Sequence, residues 1–178
     1  MEREILAEGR FARFVRRDGW EFVERTHTSG IVIIVALTTH DALILVEQHR
    51  PPVGCRVVEL PAGLAGDLAG HEDEPLVAAA RRELLEETGF DAPRFEPLAV
   101  GPLSAGLTTE IVTVFGARDA VRVAPGGGDD SEDIAVFTVP LADVPRWLAD
   151  RERAGSLVDP KVYAALWFAA RLGEGGAP

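Results

Sequence analysis

The sequence predicts an α/β protein, a mixed β-sheet between helical layers in an α/β/α sandwich. Three observations lead there. Short β-branched or apolar runs recur along the chain between clusters of Gly, Pro and Asp. Helical stretches with an apolar stripe are interleaved with those runs rather than segregated from them. Hydrophobic residues make up 47 % of the 178, enough for one core and too many for a disordered chain.

Taken in order, Phe11 to His27 alternates loosely around Asp18-Gly19, a two-residue hairpin signal, so a β-hairpin opens the chain. Its aromatics Trp20 and Phe22 must pack on something. Ile31 to Leu37 and Leu43 to Gln48 read as central strands, and Arg56 to Leu60 as a shorter one ended by Pro61. Glu110 to Ala117 and Ile134 to Val139 add two more. A helix is expected from near Asp73, with Pro75 in its first turn and Gly89 just past its end. Leu76, Ala79, Ala80 and Leu84 form its apolar stripe, and Glu83, Glu86 and Glu87 lie off it. A last helix runs from Asp159-Pro160 to about Leu172 on Val162, Leu166, Ala169 and Ala170. The expected organisation is an N-terminal hairpin segment over 1–30, one main domain over 31–172, and a fraying tail over 173–178.

Charge narrows the function. The net charge is −11, and residues 1–60 carry eight arginines against nine acids, so the excess lies in the remainder. A nucleic-acid partner is disfavoured, because phosphate-backbone binding needs a basic face. A single cysteine, Cys55, excludes an intrachain disulfide. No apolar signal core opens the chain, and its longest apolar run, Val162 to Ala170, is far short of the roughly 20 residues a membrane span needs. The expectation is a soluble cytoplasmic protein with no membrane partner.

Glu83, Glu86 and Glu87 stand i, i+3 and i+4 apart, and each like-charge pair at that spacing costs on the order of 0.2–0.5 kcal/mol. A divalent cation with a taste for oxygen ligands would reverse that cost. Arg82 could brace the carboxylates with bidentate bonds. By spacing alone, a solvated acidic face reads equally well.

The literal residues go further. Arg82-Glu83-Leu84-Leu85-Glu86-Glu87-Thr88-Gly89-Phe90 resembles the second half of the Nudix box, and Glu74 stands where that family places another glutamate. The family's opening glycine is replaced by Leu68. Gly63 of Pro61-Ala62-Gly63 is the better counterpart, which implies a five-residue insertion within 64–73. Gln48 to Pro52, Glu59 to Leu64 and Ser104 to Glu110 resemble the ADP-ribose pyrophosphatase branch, as do Trp20 to Thr26 and Val158 to Tyr163. Ala105 departs from that branch, which has proline there.

The resemblance implies the Nudix α/β/α sandwich and magnesium-dependent hydrolysis of the diphosphate of ADP-ribose to AMP and ribose 5-phosphate, with manganese an alternative ion. It implies Glu83 and Glu87 as main metal ligands, Glu86 as ligand or base, and the carbonyl of Ala62 in the metal shell. Arg25 and Arg50 would meet the diphosphate. Trp20 would stack on adenine, with Leu64, Leu107, Glu59 and Glu110 at the substrate. The loop Pro125 to Asp133 reads from composition as a solvated turn. By resemblance it carries the general base, at Asp130 or at Glu132, the latter also a metal ligand. The hairpin would be swapped in a homodimer. Alternatives stay open at several positions: Arg50 in a surface ion pair, Trp20 as a core or dimer residue, Glu59 paired with Arg25 or Arg56, and Glu110 as a strand-edge charge. The competing functions are hydrolysis of GDP-mannose or a dinucleoside polyphosphate, non-catalytic ADP-ribose binding, and a merely structural acidic helix.

Overall fold

The computed structural model describes residues 3–67, 70, 72–128 and 133–173. Its centre is β4 (Gly30–Thr38), the run predicted as a central strand. Side chains alternate across a strand, and here both faces are covered. Ile33, Val35 and Leu37 enter one apolar cluster, while Val32, Ile34 and Ala36 enter another on the opposite face. Such double burial explains why β4 reads as continuous apolar sequence instead of alternating.

Around β4 the chain builds a nine-stranded mixed sheet. β5 (Ala42–Arg50), β6 (Cys55–Glu59), β10 (Ile111–Arg122) and β11 (Ala135–Pro140) match the predicted strands. To these are added β7 (Ala62–Ala65), β8 (Phe90–Asp91), β9 (Arg94–Pro102) and β12 (Leu157–Val158). The order is β12-β6-β5-β4-β10-β8, with β11 on β5, β7 on β4 and β9 on β10. β10 runs parallel to β4 and β12 parallel to β6; the other pairs are antiparallel. β9 was not foreseen because Pro97, Gly101 and Pro102 read as loop. Proline is tolerated at a sheet edge, and among the described residues β9 pairs only with β10.

The helices cover both faces. α1 (Leu76–Thr88) packs on one, with Ala79, Ala80 and Leu84 fully buried. α2 (Val144–Arg153) and α3 (Pro160–Gly173) line the other, with Val144, Leu148, Val162, Ala165, Ala169 and Leu172 in the core. The α3 stripe therefore uses Ala165 and Leu172 where Ala170 was expected, and Ala170 faces solvent. The α1 start also shifts: Pro75 caps the helix with extended backbone (φ −62°, ψ 137°) instead of sitting in its first turn.

The predicted N-terminal hairpin is the larger part of a three-stranded sheet, β1 (Glu4–Glu8), β2 (Ala12–Arg17) and β3 (Trp20–Arg25). Ion pairs Arg16–Glu4, Arg13–Glu8 and Arg3–Glu24 hold β1 on. Phe22 is buried against its cross-strand partner Val15, beneath the guanidinium of Arg17. Trp20 stands 65 % exposed, so it is not a core residue of this chain. Among the described residues no helix is long and apolar enough to cross a membrane. Asp130, Glu132 and the tail beyond residue 173 lie outside the described residues.

Candidate active site

α1 carries the acidic turn. Gly89 ends it in the left-handed conformation (φ 75°), its N–H donating to Leu85 O, the usual way a glycine closes a helix. Ala79 and Ala80 are small, which lets α1 lie close on β4 and β7 and brings its acidic edge against the start of β7.

Arg82 organises that edge. Its Nε and Nη2 donate to both oxygens of Glu74 at 3.1 and 3.0 Å. Its Nη1 reaches Glu83 at 2.8 Å and Glu86 at 3.0 Å, and Nη2 reaches the carbonyl of Leu64 at 2.9 Å. A fork of five donors is suited to this. The expected bracing of the carboxylates is thus present, and Glu74 joins it.

Glu87 departs from expectation. It was placed off the buried stripe, yet it is only 5 % exposed. Its carboxylate accepts from the backbone N–H of Ala62 at 3.1 Å. A helix lying on a sheet turns one flank of its polar side into the interface, and position 87 falls on that flank. Glu83 lies above Gly63, where a Cβ would overlap the Glu83 carboxyl group. A side chain at position 63 would displace the Glu83 carboxyl group, which supports Gly63 over position 68 as the glycine of this site. Burial pushes the Glu83 carboxyl up to about 7, against the opposing pull of Arg82. Glu86 is exposed.

Among the described residues, no three His, Cys, Asp or Glu side chains converge as a ready-made metal cage. The donors are nonetheless hard oxygens, and a magnesium-like ion needs only one or two carboxylates, taking its remaining ligands from water and phosphate. A buried carboxyl that protonates near neutrality is also one that a cation would return to its charged form. The residues fit such an ion.

The arginines and the remaining acids form pairs. Glu59 pairs with Arg50 at 2.7 Å, so of the open alternatives Arg50 takes the ion pair and neither Arg25 nor Arg56 is the partner of Glu59. The register of β5 and β6 sets this, since Glu59 opposes Val46 and shares its face of the sheet with Arg50. Arg25 pairs with Glu110 at 2.8 Å. Arg56 instead meets Asp133 at 2.7 Å and the carbonyl of Glu47 at 2.8 Å. β3 docks on the loop that carries Leu107: Val23 N donates to Leu107 O at 2.8 Å, and Thr109 N to Val23 O at 3.1 Å. Leu64, on β7, is half-buried; Leu107 is exposed.

One feature escaped sequence reasoning. The start of the glycine-rich loop is not a free solvated turn. Val123 N and Ala124 N donate to Gly89 O, Gly127 N to Glu87 O at 2.8 Å and Gly128 N to Glu86 O at 3.0 Å. These bonds satisfy carbonyls that a helix end leaves without partners. Gly89 and Gly126 touch so closely that a Cβ on either would overlap the other segment's backbone. The only signal in the sequence was the coincidence of a glycine at the helix end with a glycine run thirty-odd residues later.

The chain is similar to known proteins over most of its length. The NUDIX domain family matches residues 26–159. The ADP-sugar pyrophosphatase of Mus musculus is 33 % identical over 188 residues, covering 90 % of this chain and 82 % of that protein. The ADP-ribose pyrophosphatase of Bacillus subtilis (strain 168) is 35 % identical over 124 residues, 69 % of this chain and 64 % of that one. A GDP-mannose pyrophosphatase of Salmonella arizonae is 30 % identical over 78 % of this chain and 71 % of its own. A solved structure described as an ADP compounds hydrolase superposes with a TM-score of 0.73 at 22 % identity, covering 98 % of this chain and 93 % of that one, which establishes the fold. The family match runs from the end of β3 to the start of α3 and takes in every element around Arg82, so the chain belongs to the Nudix hydrolases.

Proposed function

We propose that this enzyme hydrolyses the diphosphate of ADP-ribose, giving AMP and ribose 5-phosphate, with magnesium or manganese as its ion. The observation that carries the chemistry is the set of carboxylates held by Arg82, with that of Glu83 over Gly63. The relatives named ADP-sugar and ADP-ribose pyrophosphatase support the choice of substrate.

Glu83 and Glu87 would ligate the ion, with the carbonyl of Ala62 beside them. Bound there, a divalent cation lowers the pKa of a ligated water and offsets phosphate charge. Glu86, exposed and held from one side by Arg82, would accept the proton of the attacking water, or a loop acid, Asp130 or Glu132, would do so. The water oxygen bonds to phosphorus as the bridging oxygen leaves with the other phosphate. Arg25 and Arg50 would bind the diphosphate, and Trp20 would stack on adenine. Leu64, Leu107, Glu59 and Glu110 would line the substrate. The N-terminal sheet would be shared in a homodimer, and the enzyme would work in the cytoplasm.

A second reading keeps the reaction and changes the sugar, supported by similarity to a GDP-mannose pyrophosphatase. The test is a hydrolysis panel at roughly millimolar magnesium, comparing ADP-ribose, ADP-glucose, GDP-mannose and diadenosine polyphosphates, each with and without EDTA. The expected outcome is an EDTA-sensitive preference for ADP-ribose. Preference for GDP-mannose would move the second reading to first place. Binding of ADP-ribose without turnover of any compound would discard the hydrolase assignment.

A further inference from the structure

The two arginines read as diphosphate ligands share an arrangement. Each is paired with an acid from another segment that lies deeper than it does. Arg50 is 43 % exposed and its partner Glu59 15 %; Arg25 is 38 % exposed and its partner Glu110 17 %. In both pairs the carboxylate takes the Nε side of the guanidinium. Glu59 accepts from Arg50 Nε at 2.7 Å. Glu110 accepts from Arg25 Nε at 2.9 Å and stands 2.8 Å from its Nη2 through the same oxygen. Both Nη groups of Arg50, and Nη1 of Arg25, make no hydrogen bond among the described residues.

A guanidinium rotates freely about its long stem unless one edge is fixed, and rotation must be lost when an oxyanion is gripped in bidentate fashion. Holding the Nε edge beforehand removes that loss and leaves both Nη groups of Arg50 and Nη1 of Arg25 presented. It also cancels the charge of each arginine, so that a stray anion finds no net positive pocket.

We infer that Glu59 and Glu110 are positioning residues: each orients one diphosphate-binding arginine, Glu59 for Arg50 and Glu110 for Arg25, and holds its charge in check. This rests on the reading of Arg25 and Arg50 given above, and it assigns the two acids a role other than contact with the sugar. Two consequences follow with opposite signs. Removing the negative charge weakens productive binding of the substrate, because a neutral acceptor holds the Nε edge less firmly than a carboxylate does. The same change strengthens binding of a small anion that needs charge and little orientation.

The test uses full-length E59Q and E110Q, each combined with R50A and R25A respectively, with melting temperature confirming folding. KM for ADP-ribose and inhibition by inorganic pyrophosphate are the readouts. Each Glu→Gln change raises KM about tenfold, the order expected for one charge-assisted hydrogen bond, and lowers the inhibition constant of pyrophosphate about threefold. In the R50A or R25A background the corresponding Glu→Gln change has no further effect on KM, because the residue it acts through is gone. A tenfold cost that persists in those backgrounds would show direct substrate contact and overturn the inference. A general packing role would leave pyrophosphate inhibition unimproved and would overturn it too. If R25A and R50A themselves leave KM unchanged, the diphosphate reading fails first and the inference goes with it.

Discussion

The five N–H groups of Arg82 meet both oxygens of Glu74, one oxygen each of Glu83 and Glu86, and the carbonyl of Leu64. That explains how like charges persist within one helical turn when each pair costs a few tenths of a kcal/mol. It does not fully compensate Glu83, whose burial outweighs the arginine and holds its carboxyl near 7. The sign of the pH effect follows. Between the ordinary value near 4.5 and about 7, the folded protein binds a proton that the unfolded chain has released, so stability falls as pH rises through that window. In EDTA, the melting temperature drops between pH 5 and pH 7.5 by the equivalent of about 1–3 kcal/mol, and E83Q abolishes that drop. A melting temperature independent of pH over this range in the parent protein would show that Glu83 titrates normally.

At the level of elements, α1 and the segment 123–128 behave as one unit, because the segment's N–H groups complete the helix end. The contact between Gly89 and Gly126 has no space for a methyl group, and Gly126 also has φ 68°. G126A combines backbone strain with overpacking and costs about 2–4 kcal/mol. G155A carries only the strain of its φ of 98° with open space around it, and costs about 1–2 kcal/mol. Chemical denaturation of the two variants measures the difference, and equal losses would mean the segment is not docked. The same elements show what could be read in advance. α1, β4, β5, β6, β10 and β11 were legible because their apolar spacing is local. β9 was not, since its prolines signal a loop unless an edge position excuses them. β1 was hidden too, because the charged residues of this segment gain from Arg13 and Arg16 on β2 and Glu24 on β3, which only pairing brings near.

For the whole molecule, the N-terminal sheet meets the rest of its own chain chiefly at Val23, Leu107, Thr109 and the Arg25–Glu110 pair. It leaves Ile5, Phe11, Phe14 and Trp20 exposed, and Leu103, Leu107 and Ile111 are exposed around the loop it touches. Apolar surface of this kind marks an interaction face. If the N-terminal sheet is shared as proposed, light scattering of the full chain is expected to give twice 19.1 kDa; a monomer at micromolar concentration would remove the shared-site proposal and leave Trp20 without a base to stack on from a neighbouring site.

The sequence by itself determined the helix that carries Glu83, Glu86 and Glu87, the strands of the central sheet and the family, since short-range periodicity and a contiguous motif encode them. The tertiary structure alone decided that Glu87 is buried, that Gly63 makes room for Glu83, that Arg50 belongs with Glu59 and Arg25 with Glu110, and that the glycine run closes the end of α1. Apart from the nearby Arg50 and Glu59, these partners lie twenty to eighty-five positions apart. Each depends on which strands are neighbours and on their register, and neither is written in the spacing of residues along one segment.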